Sequence, residues 1–176
     1  ERTGIDLPSE ARGLLPDPAY KERAKNDLWR LGDTYNVSIG QGDLLVTPLQ
    51  LLNYIAAFAN SGKLYQPFLV RAAVSSDGST PYAMTPRVIK DYSAVFPREF
   101  ALVREGMRDT VRKDYGTAHS LSLLPFEVAA KTGTAQIEDK SKNNAFFVGY
   151  GPSGDGQTPE IALLVLLEDS RDGSAN

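Results

Sequence analysis

The sequence predicts an α+β fold, an antiparallel sheet with helices, on three observations. Hydrophobicity alternates with a period of two in three successive runs near the end, Phe126–Gln136, Asn144–Gly151 and Glu160–Glu168. Two earlier segments, opening at Thr47-Pro48 and at Pro97, instead repeat apolar residues at three and four. The connections between the three late runs are short, and the second holds Ser153-Gly154-Asp155-Gly156. Links this short suit antiparallel hairpins and exclude parallel crossovers. Helices followed by an antiparallel meander make the α+β class.

Residues 1–46 read as a loop-rich layer, punctuated by Thr3-Gly4, Leu7-Pro8, Leu15-Pro16-Asp17-Pro18 and Gly40-Gln41-Gly42. One helix is expected there, from about Pro18 to Leu31, with Asp17 as its N-cap. Residues 47–116 form the helical part. Thr47 caps a helix with Pro48 in its first position. Leu49, Leu52, Ile55, Ala56 and Ala59 make its apolar stripe, and Ser61-Gly62 ends it with Gly62 at C′. Asn53 and Tyr54 on this helix read as packing or surface residues. Leu64–Val74 has strand character interrupted at Pro67, and Asp77-Gly78 signals a turn. Thr85–Phe96 is ambiguous. Pro97–Tyr115 is a second helix with Phe100, Val103, Met107 and Val111 on one face, terminated by Gly116. Its other face carries charges at i,i+3 and i,i+4 spacing, a solvated pattern. Residues 123–169 supply the antiparallel strands.

The chain has 176 residues, a net charge of −3 and no cysteine. That length suits one domain or part of one. Without a basic cluster, nucleic acid is not an expected partner. Without cysteine there are no disulfides or thiolate metal sites. His119, the single histidine, has no Asp, Glu or His at metal-ligand spacing, so no metal or other cofactor is expected. The longest clean apolar run, Ile161 to Leu167, falls far short of the roughly 20 residues of a membrane helix.

The chemistry concentrates in Lys131-Thr132-Gly133-Thr134, at the end of Phe126-Glu127-Val128-Ala129-Ala130. This K-T-G triplet is a motif of serine acyl-transfer sites. In a strand Thr132 and Thr134 point to one face and Lys131 and Gly133 to the other. Two hydroxyls about 7 Å apart can bracket a carboxylate. Gly133 lets an extended substrate lie close against the strand. The Thr134 backbone N–H is placed as an oxyanion donor. Lys131 supplies positive potential that favours a carboxylate substrate. Gln136, just past the motif, is a further substrate contact.

Around this motif stand Arg2-Thr3-Gly4-Ile5-Asp6-Leu7-Pro8, Gly13-Leu14-Leu15-Pro16, Gly32-Asp33-Thr34, Val37-Ser38-Ile39-Gly40-Gln41-Gly42, Val46-Thr47-Pro48-Leu49-Gln50 and Phe146-Phe147-Val148-Gly149-Tyr150. Together they resemble the transpeptidase domain of class B penicillin-binding proteins, over essentially the whole chain. The Gly-Asp-Thr and Gly116-Thr117-Ala118-His119 segments are most similar to the elongation-type penicillin-binding protein 2. The resemblance implies part of a β-lactamase/transpeptidase-like fold and a serine D,D-transpeptidase. Such an enzyme cross-links peptidoglycan stem peptides ending in D-Ala-D-Ala and is acylated by β-lactams. It implies a membrane glycosyltransferase and elongation-complex proteins as partners. The implied location is the periplasmic face of the inner membrane, with the anchor outside this chain.

Of the family's three motifs, S-x-x-K, S-x-N and K-[ST]-G, only the third maps. No serine in the chain has a lysine three residues later. Ser141-Lys142-Asn143 and Ser174-Ala175-Asn176 both follow the K-T-G, the wrong order, and read as decoys. The expectation is therefore the C-terminal portion of the domain, beginning after S-x-N and stopping near a final covering helix. Such a chain lacks its nucleophile and is inactive alone. A non-catalytic binding or sensor module and a β-lactamase-like hydrolase stay open as alternatives. Trp29 and Tyr35 are expected to pack the first layer, and Glu168, Asp169 and Asp172 to form a solvated turn.

Overall fold

A computed structural model describes residues 2–136 and 143–170. The order is α1 (Pro18–Lys25), α2 (Leu31–Ser38), α3 (Pro48–Ala59), β1 (Lys63–Tyr65), β2 (Ala72–Ala73), β3 (Tyr82–Ala83), β4 (Val88–Asp91) and α4 (Pro97–Arg112). A 3-10 turn (His119–Leu123), β5 (Ala129–Gln136), β6 (Asn143–Gly151) and β7 (Ile161–Ser170) complete it. The fold is helices plus antiparallel sheets.

Asp17 caps α1 as expected, its carboxylate accepting from Tyr20 N at 2.6 Å. The single helix foreseen to Leu31 is two. Asn26 takes a left-handed conformation (φ 50) that ends α1, a geometry asparagine tolerates better than most residues. A new helix starts at Leu31, where Asp33 accepts the Arg30 N–H at 2.6 Å. At α3, Thr47 and Gln50 cap each other reciprocally. The expected end is shifted by one residue: Ser61 (φ 55) holds C′ and Gly62 lies at C″. Gly62 N donates to Ala57 O at 2.8 Å and Ser61 N to Phe58 O at 3.1 Å, which closes a Schellman motif. Gly116 follows α4 where a Cβ would lie 2.1 Å from Thr110 O, so only glycine fits the turn.

Two small sheets pair β1 with β4 and β2 with β3. The main sheet runs β5-β6-β7, all antiparallel. It begins at Ala129 instead of Phe126 for a simple reason. Continuing the register places Glu127 opposite Pro152, which has no N–H to extend the ladder.

Two apolar clusters fix the sheet. On one face Ala129, Val148 and Tyr150 pack with Ile55 and Ala59 of α3 and Met107 of α4. On the other, Ala130 packs with Val111 and Ala118, backed by Leu121, Val128 and Phe147. The α4 helix thus seats β5 through Met107 on one face and Val111 on the other. Farther across this second face, Ile161, Leu163, Val165 and Leu167 of β7 are 40–64% exposed. No helix among the described residues is long and apolar enough to cross a membrane.

Candidate functional site

Lys131, Thr132, Gly133 and Thr134 lie in β5, which pairs only with β6 among the described strands and so is an edge strand. The register sets Lys131 opposite Val148, Thr132 opposite Phe147, Gly133 opposite Phe146 and Thr134 opposite Ala145. Opposed residues share a face. Thr132 and Thr134 therefore project on the face of Phe147, and Lys131 and Gly133 on that of Val148.

Hydrogen bonds show how the outer edge is oriented. Thr134 O accepts from Gln41 Nε2 at 3.2 Å, and Thr132 O accepts from Lys131 Nζ. Neither donor belongs to β6, so these carbonyls face away from the sheet. In an antiparallel strand a residue's N–H and C=O point to the same side. The N–H groups of Thr132 and Thr134 thus line the same outer edge. The Lys131 ammonium folds round the strand to that edge, beside the Thr132 carbonyl. A Cβ built on Gly133 would have Phe146 Cβ as its nearest neighbour, at 3.9 Å. The chain's own packing leaves room at Gly133.

Thr117, between α4 and the 3-10 turn, brings its Oγ1 within 2.8 Å of Thr132 Oγ1. The Thr132 hydroxyl, on the Phe147 face, is thereby tethered to the segment that follows α4. Thr117 and Gln41 are the two partners that inspection of the motif alone did not assign. Both lie in segments that carry the family resemblance, and that was the only available signal. Gln136 ends β5, opposite Asn143.

His119 is exposed, and its Nδ1 lies 3.0 Å from Val111 O; a carbonyl only accepts, so Nδ1 carries the proton. No cluster of metal-ligating side chains occurs among the described residues. Trp29 is half-buried and donates to Thr34 Oγ1 at 2.8 Å, whereas Tyr35 does not pack the first layer as expected but stands 62% exposed on α2. Glu168 and Asp169 are exposed as expected but lie within β7 and not in a turn, with Asp169 at a left-handed φ of 55. Asp172, Ser141-Lys142 and Ser174-Ala175-Asn176 lie outside the described residues. Clefts of ≈ 330 and ≈ 300 Å³ lie elsewhere, beside Phe126 and among Tyr54, Phe58 and Phe96, and neither is lined by Lys131–Thr134. An edge with one wall encloses no volume of its own.

A model of the penicillin-binding protein transpeptidase domain matches residues 1–176. The chain belongs to that transpeptidase family. The peptidoglycan D,D-transpeptidase MrdA of Acinetobacter baumannii is 34% identical over 99% of this chain and 27% of its own length. Among solved structures, Helicobacter pylori PBP2 in complex with MreC superposes with a TM-score of 0.79 at 31% identity. That match covers 99% of this chain and 30% of the other. Pseudomonas aeruginosa PBP2 in complex with WCK 5153 gives 0.75 at 31% identity, over 96% and 36%. The chain thus spans between about a quarter and two-fifths of each of these relatives.

Proposed function

We propose that this chain forms one wall of a serine D,D-transpeptidase site in a peptidoglycan-synthesising penicillin-binding protein. The observation that carries the reading is the outer edge of β5, where the Thr134 and Thr132 carbonyls turn away from β6 on a solvent-facing Lys-Thr-Gly-Thr strand. A stem peptide ending in D-Ala-D-Ala lies extended along this edge. The Thr132 and Thr134 hydroxyls and the Lys131 charge hold its terminal carboxylate, and Gln136 touches it beyond the motif. Gly133 leaves space for the reacting segment.

The scissile carbonyl carbon is attacked by a serine oxygen, its oxygen gains charge, and the Thr134 N–H stabilises that charge. Such donors are worth about 3–4 kcal/mol in acyl transfer. The C–N bond then breaks, terminal D-alanine leaves with a proton on its nitrogen, and the acyl-enzyme passes to an acceptor amine. β-Lactams enter the same step and stay bound. The serine is supplied from outside these 176 residues, since none of their serines carries the partner lysine. The isolated chain is therefore inactive.

The whole protein acts at the periplasmic face of the inner membrane through an anchor outside this chain. It works with a membrane glycosyltransferase and elongation-complex proteins. One relative with 31% identity is solved in complex with MreC, and another, at 32%, in a study of a peptidoglycan synthase complex that coordinates polymerization and crosslinking. Incubation of the full-length protein with fluorescent penicillin is expected to give a stable covalent adduct. Absence of any adduct would overturn the reading in favour of a binding module. Rapid release of hydrolysed penicillin would instead identify a hydrolase.

A further inference from the structure

We propose that Gln41 is a positioning residue for the Thr134 peptide, resting on the transpeptidase reading of the β5 edge. Its carboxamide donates to Thr134 O at 3.2 Å across 93 positions of sequence. The carbonyl it holds is on the same residue, and the same side of the strand, as the N–H assigned to the oxyanion. The N–H and C=O of Thr134 belong to neighbouring peptide planes hinged at its Cα, so a bond that holds the carbonyl restrains the plane next to the donor's and limits how far the donor can swing.

The arm that carries Gln41 is built to be stiff. Gln41 is the C″ residue of a Schellman motif closing α2: its N–H donates to Asn36 O at 2.8 Å, and Gly40 N to Val37 O at 3.1 Å. Gly40 sits at C′ with φ 76, the left-handed geometry the motif needs. Two residues on, Asp43 pairs with Lys25 of α1 at 2.6 Å. Leu45 then forms a backbone bridge to Leu14, with bonds of 2.7 and 2.9 Å. The base of α2 is tied to α1 by Lys21, which contacts Asp33 at 2.7 Å and Asp27 at 3.2 Å. The Schellman motif, the Asp43–Lys25 pair and the Leu45–Leu14 bridge thus flank the loop whose half-buried Gln41 touches the Lys-Thr-Gly-Thr strand, while the Lys21 contacts hold the start of α2. The position of an oxyanion donor matters at this scale, because a displacement of about 1 Å can cost on the order of a hundredfold in rate.

The test uses the full-length protein with Gln41→Glu, which keeps the shape and removes the donor, Gln41→Ala, and Gln41→Lys, which keeps a donor of similar reach. Rapid-mixing kinetics with fluorescent penicillin separate the dissociation constant of the first complex from the acylation rate constant, and melting temperature reports folding. The expected result is an acylation rate constant lowered about tenfold in Gln41→Glu and Gln41→Ala. Gln41→Lys should be faster than either, with melting temperature unchanged in all three and the dissociation constant unchanged in the uncharged Gln41→Ala. An unaltered rate constant in Gln41→Glu overturns the proposal. So does a lowered melting temperature or weakened first complex with the rate constant intact, which marks a packing contact. Failure of the unaltered protein to be acylated defeats the transpeptidase reading and this proposal with it.

Discussion

Replacing Gly133 by alanine separates the demands of the fold from those of the site. Within the chain the new methyl meets nothing closer than Phe146 Cβ at 3.9 Å, an ordinary contact. Gly133 also lacks a positive φ. The substitution mainly removes conformational freedom from the unfolded chain, which stabilises by about 0.4–1 kcal/mol. A small rise in the unfolding midpoint is expected. A substrate lying against the strand sees the opposite effect. The methyl stands where its reacting segment passes, and a displacement of about 1 Å is worth on the order of a hundredfold in acylation. Differential scanning fluorimetry and fluorescent-penicillin kinetics on the full-length protein read the two quantities. Acylation within twofold of the parent would refute the placement of substrate on this strand. A fall in the midpoint would show that the glycine serves the fold.

Further predictions follow the same logic. Thr132→Val removes a hydrogen bond to a charged group, worth about 1.5–3 kcal/mol, and should weaken acylation roughly 10- to 150-fold, while Thr132→Ser retains most of the activity. Thr117→Val removes only the 2.8 Å tether on that hydroxyl and should cost several-fold less. Met107, 5% exposed between α3 and the sheet, should lose about 2–5 kcal/mol on truncation to alanine, read by urea unfolding. The hydrogen bond from Lys21 holds the Asp33 carboxyl below its usual value, and the bond to Asp33 raises Lys21. The Asp33 contribution is present above the ordinary carboxylate value near pH 4 and is lost as pH falls through its lowered one. That of Lys21 is lost only above about pH 10. Stability should be level between those limits, and Asp33→Asn should show a shallower acid limb in midpoint-versus-pH scans.

The parts of the fold legible in the sequence were those specified locally. Thr47-Pro48 with Gln50 writes a helix start in adjacent residues, and the two-residue alternation of Asn144–Gly151 writes a buried strand. The break at Asn26 was less legible, because asparagine signals a left-handed turn only weakly and the Asp33 cap depends on geometry. The start of β5 depended on Pro152 lying across the sheet, a long-range fact. The site divides the same way. The alternation of Lys131, Thr132, Gly133 and Thr134 follows from strand geometry alone. The grips of Gln41 and Thr117 join residues 93 and 15 positions apart, and no local pattern records them.

The most direct test incubates benzylpenicillin with the 176-residue chain and with the full-length protein, then maps any adduct by peptide mass spectrometry. The expected result is a penicilloyl serine in the full-length protein at a position outside this chain, and no adduct on the chain alone. A penicilloyl group on any serine within the 176 residues would contradict the assignment of the Lys-Thr-Gly-Thr strand as one wall of a site whose nucleophile lies elsewhere.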